Sequence, residues 1–230
     1  MRLRFAKAVI ACALFMPLFS LSAQFCPTSN DAWYPPFTLV QRAKIAQEGE
    51  DAIASAFPKG YPPLAAILMD EHGILWWSAH GGADEASLFE MEVFSSALDR
   101  LGLMLKADGK YPDLTAFIQA LDLEGFVLPS KSSPFKATVQ DLATIGLVLA
   151  MDGEFKDRTV IAEAVIRKVG FDWRFRDISP SGWTLAYTID PRSRLVAVAA
   201  GWVINLPPPG GMAAFYDIPN RVLAAALSFR

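Results

Sequence analysis

Two pairs of apolar strand segments, far apart in the chain, are the feature that most constrains the fold. The first pair is Leu64–Met69 and Ile74–Ala79, joined by a four-residue turn in which Gly73 can supply the positive φ that a tight hairpin needs. The second pair is Gly182–Asp190 and Arg194–Val203. Helical patterns precede, separate and follow the two pairs. This order predicts an α/β (α+β) sandwich in which N- and C-terminal helices pack on an antiparallel sheet.

The apolar periodicity places the helices. An amphipathic pattern runs from Leu39 to Phe57, and Pro58 and Gly60 end it. Thr138 is the expected N-cap of another helix, with Asp141 three residues later in a pattern close to a capping box. The other predicted helices cover residues 88–106, 113–121, 160–169 and 218–229.

The first 23 residues have the three parts of a secretory signal. A basic start precedes an apolar run from Ala8 to Leu21, and small residues around Ala23 suit cleavage. We therefore expect a signal peptide over 1–23, a single domain over 24–230, and a periplasmic or secreted protein. An uncleaved anchor is the alternative. Gln24 and Phe25 are too bulky for lipoprotein processing at Cys26, so a lipid anchor is not expected.

Composition excludes several classes of function. The formal net charge is -3 and the basic residues are dispersed, so we expect no nucleic-acid partner. The chain has only two histidines and two cysteines, and Cys12 lies in the predicted signal. We therefore expect no metal site, no cofactor and no internal disulfide, and the core must hold the fold.

Three segments carry a resemblance to a known family. They are Pro62–Trp77 continuing to Phe89, Ala137–Gly153 with its Asp-Leu-Ala sequence, and Gly182–Ala199. Together they resemble the class C type of serine beta-lactamase and penicillin-binding protein-like hydrolases, over about half of the mature chain. The resemblance implies a beta-lactamase-like sandwich. Only about 30 residues separate Lys106 from Ala137, so most of the helical subdomain of that family is expected to be missing.

The catalytic motifs of that family are degenerate here. Counted from Phe89, the Ser-x-x-Lys serine position holds Val93 and the lysine position holds Ser96. Other registers give no lysine either, because Ser95 would pair with Leu98 and Ser96 with Asp99. The third motif falls on Arg176-Asp177-Ile178, where Ile178 replaces a glycine. The resemblance therefore implies a vestigial cleft bordered by Val93, Ser96 and Arg176, in which Arg176 could bind an anion.

Other groups in the sequence are weaker candidates. Ser133 and Lys136 form the one Ser-x-x-Lys string, in a polar loop where Ser133 could equally cap a helix. His72 is expected to be exposed at the hairpin turn. His80 has no assignable serine or cysteine partner. The acids Asp84, Glu85, Glu90 and Glu92 are expected to form a solvated helix start.

Three functions follow from these observations. The first is an exported, noncatalytic protein that binds a partner protein, a peptide or an envelope fragment in the vestigial cleft. The second is a serine hydrolase acting on an ester or amide, with Ser133 and Lys136 as nucleophile and base, or with Ser95 or Ser96 and an unidentified base. The third is a structural or assembly role as a homo-oligomer, since loss of a subdomain exposes apolar surface.

Overall fold

A computed structural model describes residues 34–58, 60–90, 95–129, 135–169, 174–178, 182–203 and 211–230. The predicted signal and Cys26 lie outside these residues. In chain order the elements are α1 Leu39–Ala56, β1 Leu64–Asp70, β2 Gly73–His80, β3 Phe89–Glu90, α2 Ser95–Asp108, α3 Leu114–Ala120, β4 Phe126–Val127, β5 Lys136–Ala137, α4 Val139–Ala150, β6 Glu154–Phe155, β7 Arg158–Thr159, α5 Glu163–Val169, β8 Arg174–Ile178, β9 Trp183–Asp190, β10 Leu195–Trp202 and α6 Met212–Leu227.

Five antiparallel strands form the central sheet, in the order β2-β1-β10-β9-β8. Both predicted hairpins are present, and β1 joins them by pairing with β10 from Leu64↔Gly201 to Met69↔Val196. The predicted fold class, an antiparallel sheet flanked by terminal helices, is confirmed.

Helices cover both faces of the sheet. The α1–α6 face carries a core that includes Leu64, Ala66 and Leu68 of β1, together with Ile45 of α1 and Phe215 of α6. The opposite face, the α2–α4 face, packs Ala65, Ile67 and Met69 of β1 against residues of α2 and α4. Because β1 is buried on both faces, it has the unbroken apolar run that its sequence shows.

Strand β2 departs from simple alternation at one point. Its register with β1 moves from Met69↔Ile74 to Leu68↔Trp76, so Leu75 is an extra residue in the ladder. A bulge of this kind sends two consecutive side chains to the same side. Leu75 and Trp76 consequently both pack into the α1–α6 core.

Side-chain caps set the starts of α1 and α4. Thr38 and Gln41 form a reciprocal capping box at α1. At α4, the Thr138 hydroxyl accepts the Asp141 backbone N–H at 3.1 Å, as the sequence predicts.

Three predicted helix starts are wrong, and the helix predicted from residue 160 begins at Glu163. The helix predicted from residue 88 begins at Ser95, because Phe89 and Glu90 pair with β5 instead and Phe89 is buried. The helix predicted from residue 218 begins at Met212, since Phe215 adds a buried turn and Pro219 is accommodated inside the helix. Among the described residues, no helix is long and apolar enough to cross a membrane.

Candidate functional site

The two-residue strands β3 and β5 bring together segments that are candidates in the sequence. Glu90 pairs directly with Lys136, and the Lys136 Nζ lies 2.8 Å from the Glu90 Oε1. In the sequence, Glu90 precedes Val93 and α2, and Lys136 follows Ser133, so the described ends of both segments are neighbours. Val93 and Ser133 themselves lie outside the described residues. We therefore take the β3–β5 ladder and the adjoining start of α2 as the candidate site.

Lys136 forms an ion pair with Glu90 in this arrangement. Both partners are about one-third exposed, at 32% for Lys136 and 28% for Glu90. Glu90 is thus a strand residue with a cationic partner, and its predicted place in a solvated helix start is wrong.

Helix α2 begins with the two candidate serines, Ser95 and Ser96. The residues one turn later are Leu98, Asp99 and Arg100, none of which supplies an amine. The helix has one lysine, Lys106, ten positions after Ser96 and about 15 Å along the axis. No lysine of this helix can therefore take a proton from either serine.

Arg176 lies in edge strand β8, and the register places it on the α1–α6 face. It pairs with Ala186, which packs in the core of that face, and its guanidinium carbon lies 5.6 Å from the centroid of the Tyr216 ring in α6. Helix α2 packs on the opposite face. The structure does not bring Arg176 towards the described part of α2. Ile178, at the end of the same strand, is exposed.

His80 has a serine partner that sequence reasoning missed. The Ser78 Oγ lies 2.8 Å from the His80 Nε2, and the Glu50 Oε2 of α1 lies 3.3 Å from the same nitrogen. Trp76 donates its indole N–H to the other Glu50 oxygen at 3.2 Å, and Tyr61 stacks on the imidazole with centroids 4.4 Å apart. Positions i and i+2 of a strand share a face, so Ser78 and His80 could have been paired from the sequence.

This serine, histidine and glutamate do not form a catalytic relay. In a Ser-His-acid triad the serine and the acid use opposite imidazole nitrogens, whereas Ser78 and Glu50 both approach Nε2. Ser78 is also buried, at 7% exposure, and the group lies on the α1–α6 face, away from α2. We interpret it as a polar contact that holds α1 against β2.

His72 is not the exposed turn residue that the sequence predicts. Its side chain is 15% exposed and its Nε2 lies 2.8 Å from the Tyr34 carbonyl oxygen. The backbone N–H of His72 donates to Asp70, which also accepts from the Arg230 guanidinium at 2.9 Å. Burial raises the pKa of Asp70, although His72 and Arg230 oppose the shift, and burial lowers the pKa of Arg230. The turn is therefore enclosed by residues from both ends of the described chain.

The described residues contain no group of three or more His, Cys, Asp or Glu side chains that could hold a metal ion. This finding concerns only the ranges given above for the structure.

Comparison with solved structures identifies the fold. The structure is similar to the apo transpeptidase domain of penicillin-binding protein 3 from Burkholderia pseudomallei, with a TM-score of 0.58, 10% identity, and coverage of 81% of this chain and 94% of that one. It is also similar to a class A beta-lactamase from Bacteroides cellulosilyticus, with a TM-score of 0.54, 9% identity, and coverage of 80% and 99%. No protein-family model and no curated protein sequence matches the chain.

The chain thus has the fold shared by penicillin-binding transpeptidase domains and serine beta-lactamases. At these identities the likeness concerns the fold alone, because one fold hosts many functions. The closer resemblance to the class C type, and the loss of the helical subdomain, stay predictions from the sequence.

Proposed function

We propose that this protein is an exported, noncatalytic relative of the penicillin-binding and beta-lactamase fold, which binds a peptide or another envelope-derived ligand. The observation that carries the proposal is the composition of α2. Its first turn contains Ser95 and Ser96, but no amine follows one turn later to accept a proton. Serine is a weak nucleophile without an adjacent base. No amine in this helix is placed to accept the proton that Ser95 or Ser96 would lose on forming an acyl-enzyme.

Two further observations support the loss of chemistry. Lys136, the lysine of the one Ser-x-x-Lys string, is paired with Glu90. Ile178 adds a branched side chain to the edge strand, where the family has glycine, and so obstructs close approach of a substrate backbone. The proposed ligand surface comprises the start of α2, the end of the β3–β5 ladder, where the Phe89 ring lies 5.7 Å from the Trp183 ring of β9, and the neighbouring backbone edge of β8. Export is proposed from the signal-like residues 1–23.

Covalent labelling tests whether serine chemistry is absent. The mature protein would be incubated separately with a fluorophosphonate and with a penicillin, and its intact mass measured, beside an active serine beta-lactamase as positive control. We expect no adduct. A stoichiometric adduct would overturn the noncatalytic proposal, and peptide mapping with the Ser95→Ala, Ser96→Ala and Ser133→Ala variants would identify the nucleophile.

Binding is tested by native mass spectrometry with soluble peptide fragments of bacterial cell wall. The chain offers a matched pair of variants, because exposed isoleucines lie on both edge strands: Ile178 on β8 and Ile74 on β2, 37% and 40% exposed. We expect Ile178→Asp to weaken binding at least tenfold and Ile74→Asp to leave it unchanged. Equal effects of the two variants would place the ligand elsewhere.

A further inference from the structure

Asp141 is an acidic side chain in a helix that is otherwise apolar and buried. It is the third residue of α4, and the residue as a whole is 8% exposed. In a capping box the third side chain bonds back to the backbone N–H of the N-cap residue. Here the N–H of Thr138 donates instead to the Gly125 carbonyl at 3.1 Å. The Asp141 carboxyl has lost its usual partner, and its Oδ2 is buried with no hydrogen-bond partner.

The segment that leads into β4 packs directly on this carboxyl. A Cβ at Gly125 would come 3.0 Å from the Asp141 Oδ2 and 2.4 Å from the Thr138 Cγ2, so only glycine fits. The charged residue that acts on Asp141 is Glu124, which has the same sign. The surroundings therefore favour the neutral acid.

The pKa of Asp141 follows from these contacts. Burial is the largest cause and Glu124 adds to it, while the backbone N–H of Gly125 acts in the opposite direction, and together they raise the pKa to about 6. In the unfolded chain the pKa is near 3.8. A raised carboxyl pKa contributes stability that is present in acid and is lost as the pH rises from about 4 through about 6.

We propose that Asp141 is a proton-controlled latch between α4 and the β3–β5–β4 ladder. When neutral, its carboxyl packs against Gly125 without the cost of a buried charge. When ionised, it is a buried carboxylate beside Glu124, and the ladder opens locally more often. Since the ladder carries the Glu90–Lys136 pair, the latch adjusts the end of the fold that holds the candidate site. The latch does not depend on the proposed function.

Hydrogen exchange measured by mass spectrometry at pH 5 and pH 7.5, corrected for the intrinsic exchange rates, tests the latch. For wild type we expect peptides covering 124–127 and 135–137 to lose about tenfold in protection at pH 7.5, a factor that one unit of pKa shift can supply. Peptides from β1 and β10 should keep the same protection at both pH values. The absence of a pH effect on the ladder peptides would overturn the proposal.

Two variants identify the group responsible. Asp141→Asn cannot ionise, so the ladder should stay protected at both pH values; a pH effect of wild-type size in this variant would exclude Asp141. Glu124→Gln removes the like charge and keeps Asp141, so the pKa of Asp141 in the closed state should fall and the loss of protection between pH 5 and pH 7.5 should be smaller than in wild type. It provides the test if Asp141→Asn does not fold, and an unchanged loss of protection would contradict the latch.

Discussion

The backbone of Gly146 in α4 lies directly against the phenol of Tyr187 in β9. A Cβ at position 146 would come 2.0 Å from the Tyr187 hydroxyl oxygen. That hydroxyl donates to the Leu142 carbonyl at 2.9 Å, one turn before Gly146. The tyrosine is 1% exposed, and burial raises its pKa well above the usual range. The central helix therefore rests on the sheet through a contact that admits no side chain.

Replacing this glycine should destabilise the fold. Gly146→Ala must displace Tyr187 or the helix, and overpacking of this kind costs about 1–3 kcal/mol. Gly102 is the matched control, because it is also inside a helix but a Cβ there meets nothing within 4 Å. Gly102→Ala should be neutral or stabilise by up to about 1 kcal/mol. Urea unfolding measures both variants, and equal effects would contradict the contact.

Arg230 should be required for stability. Its guanidinium lies between the Tyr34 and Phe37 rings, 4.4 and 4.3 Å from their centroids, and its side chain is 6% exposed. Arg230→Ala leaves Asp70 charged and buried, which costs about 3–5 kcal/mol. Arg230→Lys should recover only part of this, because an ammonium lacks the planar stacking surface.

Thermal unfolding would compare these variants with Arg174→Ala, an exposed arginine on β8. We expect that control to stay within about 0.5 kcal/mol of wild type. The double variant Arg230→Met with Asp70→Asn should recover stability, since it removes the buried charge as well. A double variant no better than Arg230→Ala would show that stacking, and not the ion pair, carries the effect.

The Glu90–Lys136 pair should contribute little to stability. Cross-strand ion pairs that are partly exposed are typically worth about 0.2–1 kcal/mol. A double-mutant cycle with Glu90→Gln and Lys136→Met should give a coupling energy in that range, and 1 M NaCl should reduce it. A coupling energy above about 2 kcal/mol would indicate a drier, stronger pair than the geometry shows. The exposed i,i+4 pair of Glu163 and Arg167 is the control.

Most of the helices and strands could be predicted because the pattern of apolar residues marks which positions are buried. Strand β1 is apolar at every position from Leu64 to Met69 because both of its faces are covered. Thr138 marks the start of α4 because its hydroxyl caps that helix. The two-residue strand β3 was not predictable. Its one apolar residue, Phe89, fits the helical period that follows, and only the pairing with β5 distinguishes the two structures.

The polar side-chain contacts were harder to predict than the framework. Ser78 and His80 are two residues apart on one strand, so their contact could have been found. Glu50 could not, because its place depends on how α1 is rotated against β2. Asp70 and Arg230 are 160 positions apart and meet only after the sheet has formed. Contacts of this kind depend on the assembled tertiary structure.

The strand order has a consequence for how the chain reaches its folded state. Strand β1 obtains its second partner only when β10 is present, since Leu64 pairs with Gly201. Loop closure over such separations is slow compared with local pairing. The N-terminal half of a growing chain therefore cannot complete the sheet until residues near 200 are available. If the protein is exported as we propose, the sheet would stay incomplete until the C-terminal hairpin has also crossed the membrane.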